Sequence, residues 1–128
     1  MLANPLDEAR LADMDPADFI AEWKWDGIRV QLAHAGGETR LYSRTGDDIS
    51  GAFPEMAGAL AVPAVLDGEL LVRGATQGGE AGGAASFNAL QQRLGRKTVS
   101  KRMWEEYPAF VRLYDLLILE GEDLRERP

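Results

Sequence analysis

The sequence predicts an α+β fold, with a mixed, largely antiparallel sheet and flanking helices. Two observations carry that expectation. Strand-like and helix-like segments follow one another without the regular strand–helix–strand alternation of a parallel sheet. Early in the chain, Gly36-Gly37-Glu38 joins two runs of alternating polarity as a hairpin turn would. At 128 residues the chain is one domain or part of one, long enough to bury a core.

Residues 1–17 are polar and broken by Pro5 and Pro16, with room for a short helix over 6–14. From 18 to 24 the pattern alternates. Phe19, Ala21 and Trp23 fall on one side and Ile20, Glu22 and Lys24 on the other, as in a strand. Gly27 permits a turn or a close backbone approach, and residues 28–34 form a second alternating run. The chain returns over 39–44, loops at Thr45-Gly46-Asp47-Asp48 and forms a short helix over 53–61. Residues 64–72 are a strand by composition, with Val65, Leu66, Leu70, Leu71 and Val72 around Asp67-Gly68-Glu69. Residues 74–85, rich in Gly and Ala, read as a flexible loop. Ser86 then caps a helix over 87–94, whose apolar stripe is Phe87, Leu90 and Leu94 and whose stop is Gly95. A second short helix over 100–106 precedes Pro108. Residues 110–119 are the longest strand-like run, turned by Glu120-Gly121-Glu122-Asp123.

Composition narrows the function. The 45% hydrophobic and 27% charged content is ordinary for a soluble globular protein. There is no apolar run of membrane-spanning length, and the start lacks the basic and apolar regions of a signal peptide. Without cysteine there is no disulfide framework or thiolate zinc site, so the expected location is cytoplasmic. The single His34, expected on a strand surface, cannot build a histidine metal cluster. A net charge of −7 argues against a general nucleic-acid coat. Basic residues do cluster at Arg93, Arg96, Lys97, Lys101 and Arg102, an expected contact with a DNA backbone.

The chemically densest stretch is Glu22-Trp23-Lys24-Trp25-Asp26-Gly27-Ile28-Arg29. A lysine beside a turn can attack a phosphate when its amine is deprotonated, and Arg29 can hold a phosphate oxygen by two hydrogen bonds. The competing reading is a solvated turn with Lys24 paired to Asp26, since four residues recur by chance. Arg44, at the end of the third run, suits a ribose or phosphate, or is simply a strand-end arginine. A period of two puts Asp67 and Glu69 on one strand face, where carboxylates among apolar neighbours are costly without a cation or hydroxyl to bind; an edge strand with one wet face accounts for them equally well. Tyr114 is a core residue or a stacking platform for a purine.

In order and spacing, these segments together resemble the adenylation domain of ATP-dependent DNA ligases. KWDGIR is similar to the first nucleotidyl-transfer motif, KxDGxR, YSRTGDDIS to the next, VLDGELLV to the third and VRLYDLLILEGEDLRERP to the one after it. SFNALQQRLGRK also resembles such ligases, bacterial ones in particular. Four motifs in register are far more specific than one. The resemblance implies an ATP-grasp-like nucleotidyltransferase fold, in part, and an enzyme that seals nicks in duplex DNA using ATP and Mg²⁺. It makes Lys24 the nucleophile that becomes linked to AMP. Glu22 would lie at the adenine pocket, Arg29 by the ribose and α-phosphate, and Arg44 and Glu69 on the ribose. Glu69 would also lie near the metal, Tyr114 would stack on adenine and Asp26 would orient the loop. SRTGDDIS and EGEDLRERP favour a DNA ligase; the alternatives are an RNA ligase or capping enzyme, or an inactive nucleotide-binding fragment. The family continues with an E-G-x-x-x-K motif, a lysine-containing strand motif and an OB-fold domain, none of which is present after Pro128. Residues 1–128 are therefore expected to be the amino-terminal part of the adenylation domain, unable to seal nicks alone and prone to self-association through an exposed sheet edge.

Overall fold

A computed structural model of the protein describes residues 5–73 and 87–127. One five-stranded sheet organises them, built from β1 (Ile28–Ala35), β2 (Glu38–Ser43), β3 (Ala64–Val72), β4 (Ala109–Leu119) and β5 (Glu122–Asp123). The strand order is β2-β1-β3-β4-β5, and every pairing is antiparallel. The expected sheet was mixed and largely antiparallel; among the described residues it is antiparallel throughout. The flanking helices are short: α1 (Glu8–Leu11), α2 (Phe87–Gln91) and α3 (Lys101–Glu106).

The β1–β2 hairpin forms where the paired glycines predict it. Ala35 pairs with Glu38, and Gly36 and Gly37 take φ of +59° and +80°, the two positive values of a type I′ turn. A period of two then sorts β1: Val30 and Leu32 are buried, while Arg29 and Gln31 face outward. With Leu41, Leu70 and Val72 they form the core, closed by Phe53 and by Leu90 of α2. These apolar side chains fill one face of the sheet; the other carries Arg29, Asp67 and Glu69, with Leu71 buried beside them.

Three expected elements differ. Residues 18–24, expected as a strand, pair with no strand of the sheet, and their apolar side chains cover no part of the core among the described residues. Ile20 and Trp23 are 89% and 85% exposed. In place of a helix over 53–61 there are two single 3₁₀ turns, Ser50–Ala52 and Pro54–Met56. Phe53 between them is fully buried with a non-helical backbone, so burying its ring breaks the run. The helix over 6–14 contracts to α1, capped by the Asp7 carboxylate accepting from the Ala9 amide. The expected loop over 74–85 and the Ser86 cap lie outside the described residues. Gly95 has a φ of +77° and follows α2 by a further turn.

Arg93 departs most from expectation. It is fully buried and is no surface contact. Its Nε and Nη2 donate to the Ala52 carbonyl at 3.1 and 2.6 Å, and its Nη1 to the Tyr107 carbonyl at 2.9 Å. Nη2 also donates to Glu55 Oε2 at 2.7 Å, and the guanidinium lies 4.5 Å over the Phe53 ring. Glu55 in turn accepts from the Ala109 amide at 3.0 Å. One side chain thus ties the 3₁₀ turns, the segment after α2 and the start of β4 together.

Candidate functional site

The polar face of the sheet carries most of the residues singled out in the sequence. β1 lies beside β3, with Arg29 opposite Glu69 and Gln31 opposite Asp67. On the far side of β3, Glu69 stands opposite Arg112 of β4. The β3–β4 register then slips, so that Gly68 faces Leu113 while Asp67 faces Asp115. Tyr114 is the extra residue at this bulge, a device that re-aims a side chain and leaves it unpaired. It is 52% exposed, and its hydroxyl lies in the field of Arg29, Asp67, Glu69 and Glu22. Burial pushes that hydroxyl above its ordinary value.

Arg29 donates to Asp67 at 2.5 Å, and this hydrogen bond holds the guanidinium above its ordinary value. Asp67 is buried, and its second oxygen, Oδ1, has no hydrogen-bond partner among the described residues. Arg29, Arg44, Tyr42 and Asp67 line a cavity of about 420 Å³. Glu22 and Tyr114 line a second, of about 400 Å³, with Trp23, Trp25, Arg112 and Leu113. A larger hollow of about 530 Å³ lies elsewhere, along Arg40, Ser50 and Lys97. Arg40 there is already engaged by Glu38 and Asp48, which leaves that hollow less to offer a ligand.

Lys24 is exposed and reaches the sheet through Gly27. The Gly27 amide donates to Glu69 Oε1 at 3.2 Å. A Cβ at Gly27 would stand 2.3 Å from the Leu70 carbonyl oxygen, so only glycine lets the backbone approach β3 this closely. Burial raises the Glu69 carboxyl above its ordinary value, while the Gly27 amide, Lys24 and Arg29 draw it back. Loop placement therefore runs through Gly27 and Glu69, whereas Asp26 is exposed and makes no ion pair among the described residues.

Glu22 and Tyr114 thus line one cavity and Arg29 and Arg44 another, while Lys24 lies within the electrostatic reach of Glu69. The structure adds Asp67 as the partner of Arg29, and Trp25 and Arg112, stacked at 4.6 Å. Asp67 was legible as a face-mate of Glu69, but nothing in the sequence pairs Trp25 with Arg112. His34 lies where expected on β1, its Nδ1 2.8 Å from the Thr39 hydroxyl. No group of three or more acidic or histidine side chains among the described residues could hold a metal ion by itself. No helix there is long and apolar enough to cross a membrane.

Comparison with known proteins places the chain in one family. The chain matches the family model of the ATP dependent DNA ligase domain over residues 1–128. It is 40% identical over 131 residues to a probable DNA ligase of Koribacter versatilis, a match covering 100% of this chain and 22% of the relative. It is 41% identical over 135 residues to a probable DNA ligase of Anaeromyxobacter sp., covering 100% of this chain and 24% of that one. The chain therefore spans less than a quarter of these relatives' length. Its fold is similar to mycobacterial DNA ligase D complexed with ATP and MES, with a TM-score of 0.57 and 28% identity, covering 80% of this chain and 30% of the other. The ligase domain of LigD from M. tuberculosis gives a TM-score of 0.55 at 30% identity, with the same coverage.

Proposed function

The chain belongs to the ATP dependent DNA ligase domain family, and from that premise we propose that it supplies the lysine-adenylating site of an enzyme that seals nicks in duplex DNA. The observation that carries this reading is the pairing of Arg29 with Glu69 across β1 and β3, with the Lys24 loop docked on Glu69 by the Gly27 amide and Tyr114 at the adjoining bulge of β4. The Lys24 amine attacks the α-phosphorus of ATP, a P–N bond forms, and the bond to pyrophosphate breaks. The amine loses its proton and the enzyme carries AMP as a phosphoramidate. AMP then passes to a 5′-phosphate at the nick, and the neighbouring 3′-hydroxyl displaces it. Splitting one displacement into three gives each step a good leaving group.

Each residue has a task that its surroundings suit. Tyr114, half-exposed at its bulge, offers a ring face to adenine, with Glu22 in the same cavity. Arg29, fixed by Asp67, directs its remaining donors at the phosphate or ribose, and Arg44 lines the same hollow. Glu69 meets the ribose while holding the Gly27 amide. The single carboxylate of Glu69 fits Mg²⁺, which is commonly held by one or two carboxylates together with substrate phosphates. The ion, when bound, would neutralise charge on those phosphates. The antiparallel sheet is read as part of an ATP-grasp-like nucleotidyltransferase fold.

The test is covalent labelling. The protein that carries this chain, incubated with ATP and Mg²⁺, gains one AMP, mapped by peptide mass spectrometry to Lys24. Lys24→Ala and Lys24→Arg both abolish it, because a guanidinium stays protonated. An adduct on Lys97 or Lys101 would overturn the assignment.

A further inference from the structure

Lys24 sits in a segment, residues 19–25, that lies in no helix or strand. Something must nevertheless hold its amine near one place, since an in-line attack tolerates little wandering. Gly27 is one anchor, through Glu69 at 3.2 Å, but it lies three residues away. Trp25, the residue next to Lys24, provides a nearer one. Its ring lies beneath the Arg112 guanidinium, 4.6 Å from charge to ring centre. Trp23, on the other side of Lys24, leans on Trp25 with ring centres 6.1 Å apart. Arg112 and Glu69 are direct cross-strand partners on β4 and β3. A single strand pair therefore anchors the segment twice, Glu69 by the Gly27 amide and Arg112 by the Trp25 ring.

We infer that Trp25 and Arg112 are positioning residues for the Lys24 amine, acting through the backbone of Trp25. The inference rests on the reading of Lys24 as nucleophile and adds two residues to which that reading gives no part. Without the stack, the nearest anchor moves from one residue away to three, and the amine samples more positions in which it cannot react. Trp25 and Arg112 also line the cavity of Glu22 and Tyr114, so positioning of the amine is read in the rate at saturating ATP, and contact with the nucleotide in the half-saturating concentration.

The test is single-turnover labelling with ATP and Mg²⁺ in the protein that carries this chain, with the rate at saturation separated from the half-saturating ATP concentration. Trp25→Ala and Arg112→Ala each slow the saturated rate by about tenfold, and any rise in half-saturating ATP is smaller and alike in the two, since both line one cavity. The double variant is no slower than the slower single, since both remove one contact. Trp25→Phe restores most of the rate, which a merely structural loss would not predict at an unchanged unfolding midpoint. Should Trp25→Ala fail to fold, Trp25→Leu, which fills the site without an aromatic face, takes its place in the cycle. Full rates in both alanine variants, with Lys24→Ala inert, would overturn the clamp alone. An increase in half-saturating ATP for Arg112→Ala but not for Trp25→Ala would also overturn it, making Arg112 a direct nucleotide contact. Normal labelling of Lys24→Ala would overturn the nucleophile assignment and, with it, this inference.

Discussion

Two arginine–carboxylate pairs in this protein have the same chemistry and opposite surroundings. In Arg93–Glu55 the arginine side chain is fully buried, and all three guanidinium nitrogens donate to acceptors. In Arg29–Asp67 the arginine side chain is 55% exposed and the carboxylate is buried, with one oxygen unpartnered among the described residues. A buried charge is tolerated when every donor is met, and such a knot has nothing left for a ligand. An arginine tied at one nitrogen and open at the others is oriented yet still has donors to offer. The first pair belongs to the fold, the second to the site.

That division gives its largest expected effect at Arg93. Arg93→Ala strands Glu55 and two carbonyls in the interior and should cost about 3–5 kcal/mol in urea unfolding, as for other broken buried pairs. Arg29→Ala should cost less, about 1–3 kcal/mol, because the space vacated by the half-exposed Arg29 side chain admits water to the Asp67 carboxylate, while weakening ATP binding measured by calorimetry. Equal losses of stability at the two sites would blur the comparison.

Acid sharpens it. Burial pushes the Glu55 carboxyl up, but Arg93 and the amides of Glu55 and Ala109 outweigh that and hold it below the ordinary value of 4.5. A lowered carboxylate stabilises the fold fully above that ordinary value, and the contribution is lost as pH falls through the lowered one. The stability gap between the wild type and Glu55→Gln should therefore narrow as pH drops below 4.5. A gap constant down to full protonation would show that Glu55 is not held as described. The smallest effect belongs to the exposed basic residues near Arg93. Neutralising Arg96 and Lys97 should change stability by no more than about 0.5 kcal/mol, while flattening the salt dependence of binding to nicked DNA.

The same comparison shows what was legible in the sequence. Strands β1 and β3 and the Gly36-Gly37 turn follow from periodicity and turn chemistry, which are local. Lys24, Arg29, Arg44 and Glu69 stood out because their motifs are short and ordered. Arg93 was misread because its partner Glu55 lies 38 positions away, and in sequence it looks like one more member of a basic cluster. The run over 18–24 was misread as a strand because alternation reports which sides differ, not whether either side is buried, and Phe19, Ile20 and Trp23 are all exposed. Tyr114 was legible as an aromatic in a strand, but the bulge that turns it toward the site depends on the register of β3 against β4.

The most direct test sets the two arginines side by side in one assay. The rate of AMP attachment to Lys24 is measured per folded molecule for Arg29→Ala and Arg93→Lys, at a temperature where both are folded by circular dichroism. The account predicts that Arg29→Ala loses most of the labelling rate while Arg93→Lys, though less stable, labels close to the wild-type rate. Equal loss in both, or a normal rate in Arg29→Ala, would contradict the division between site and fold.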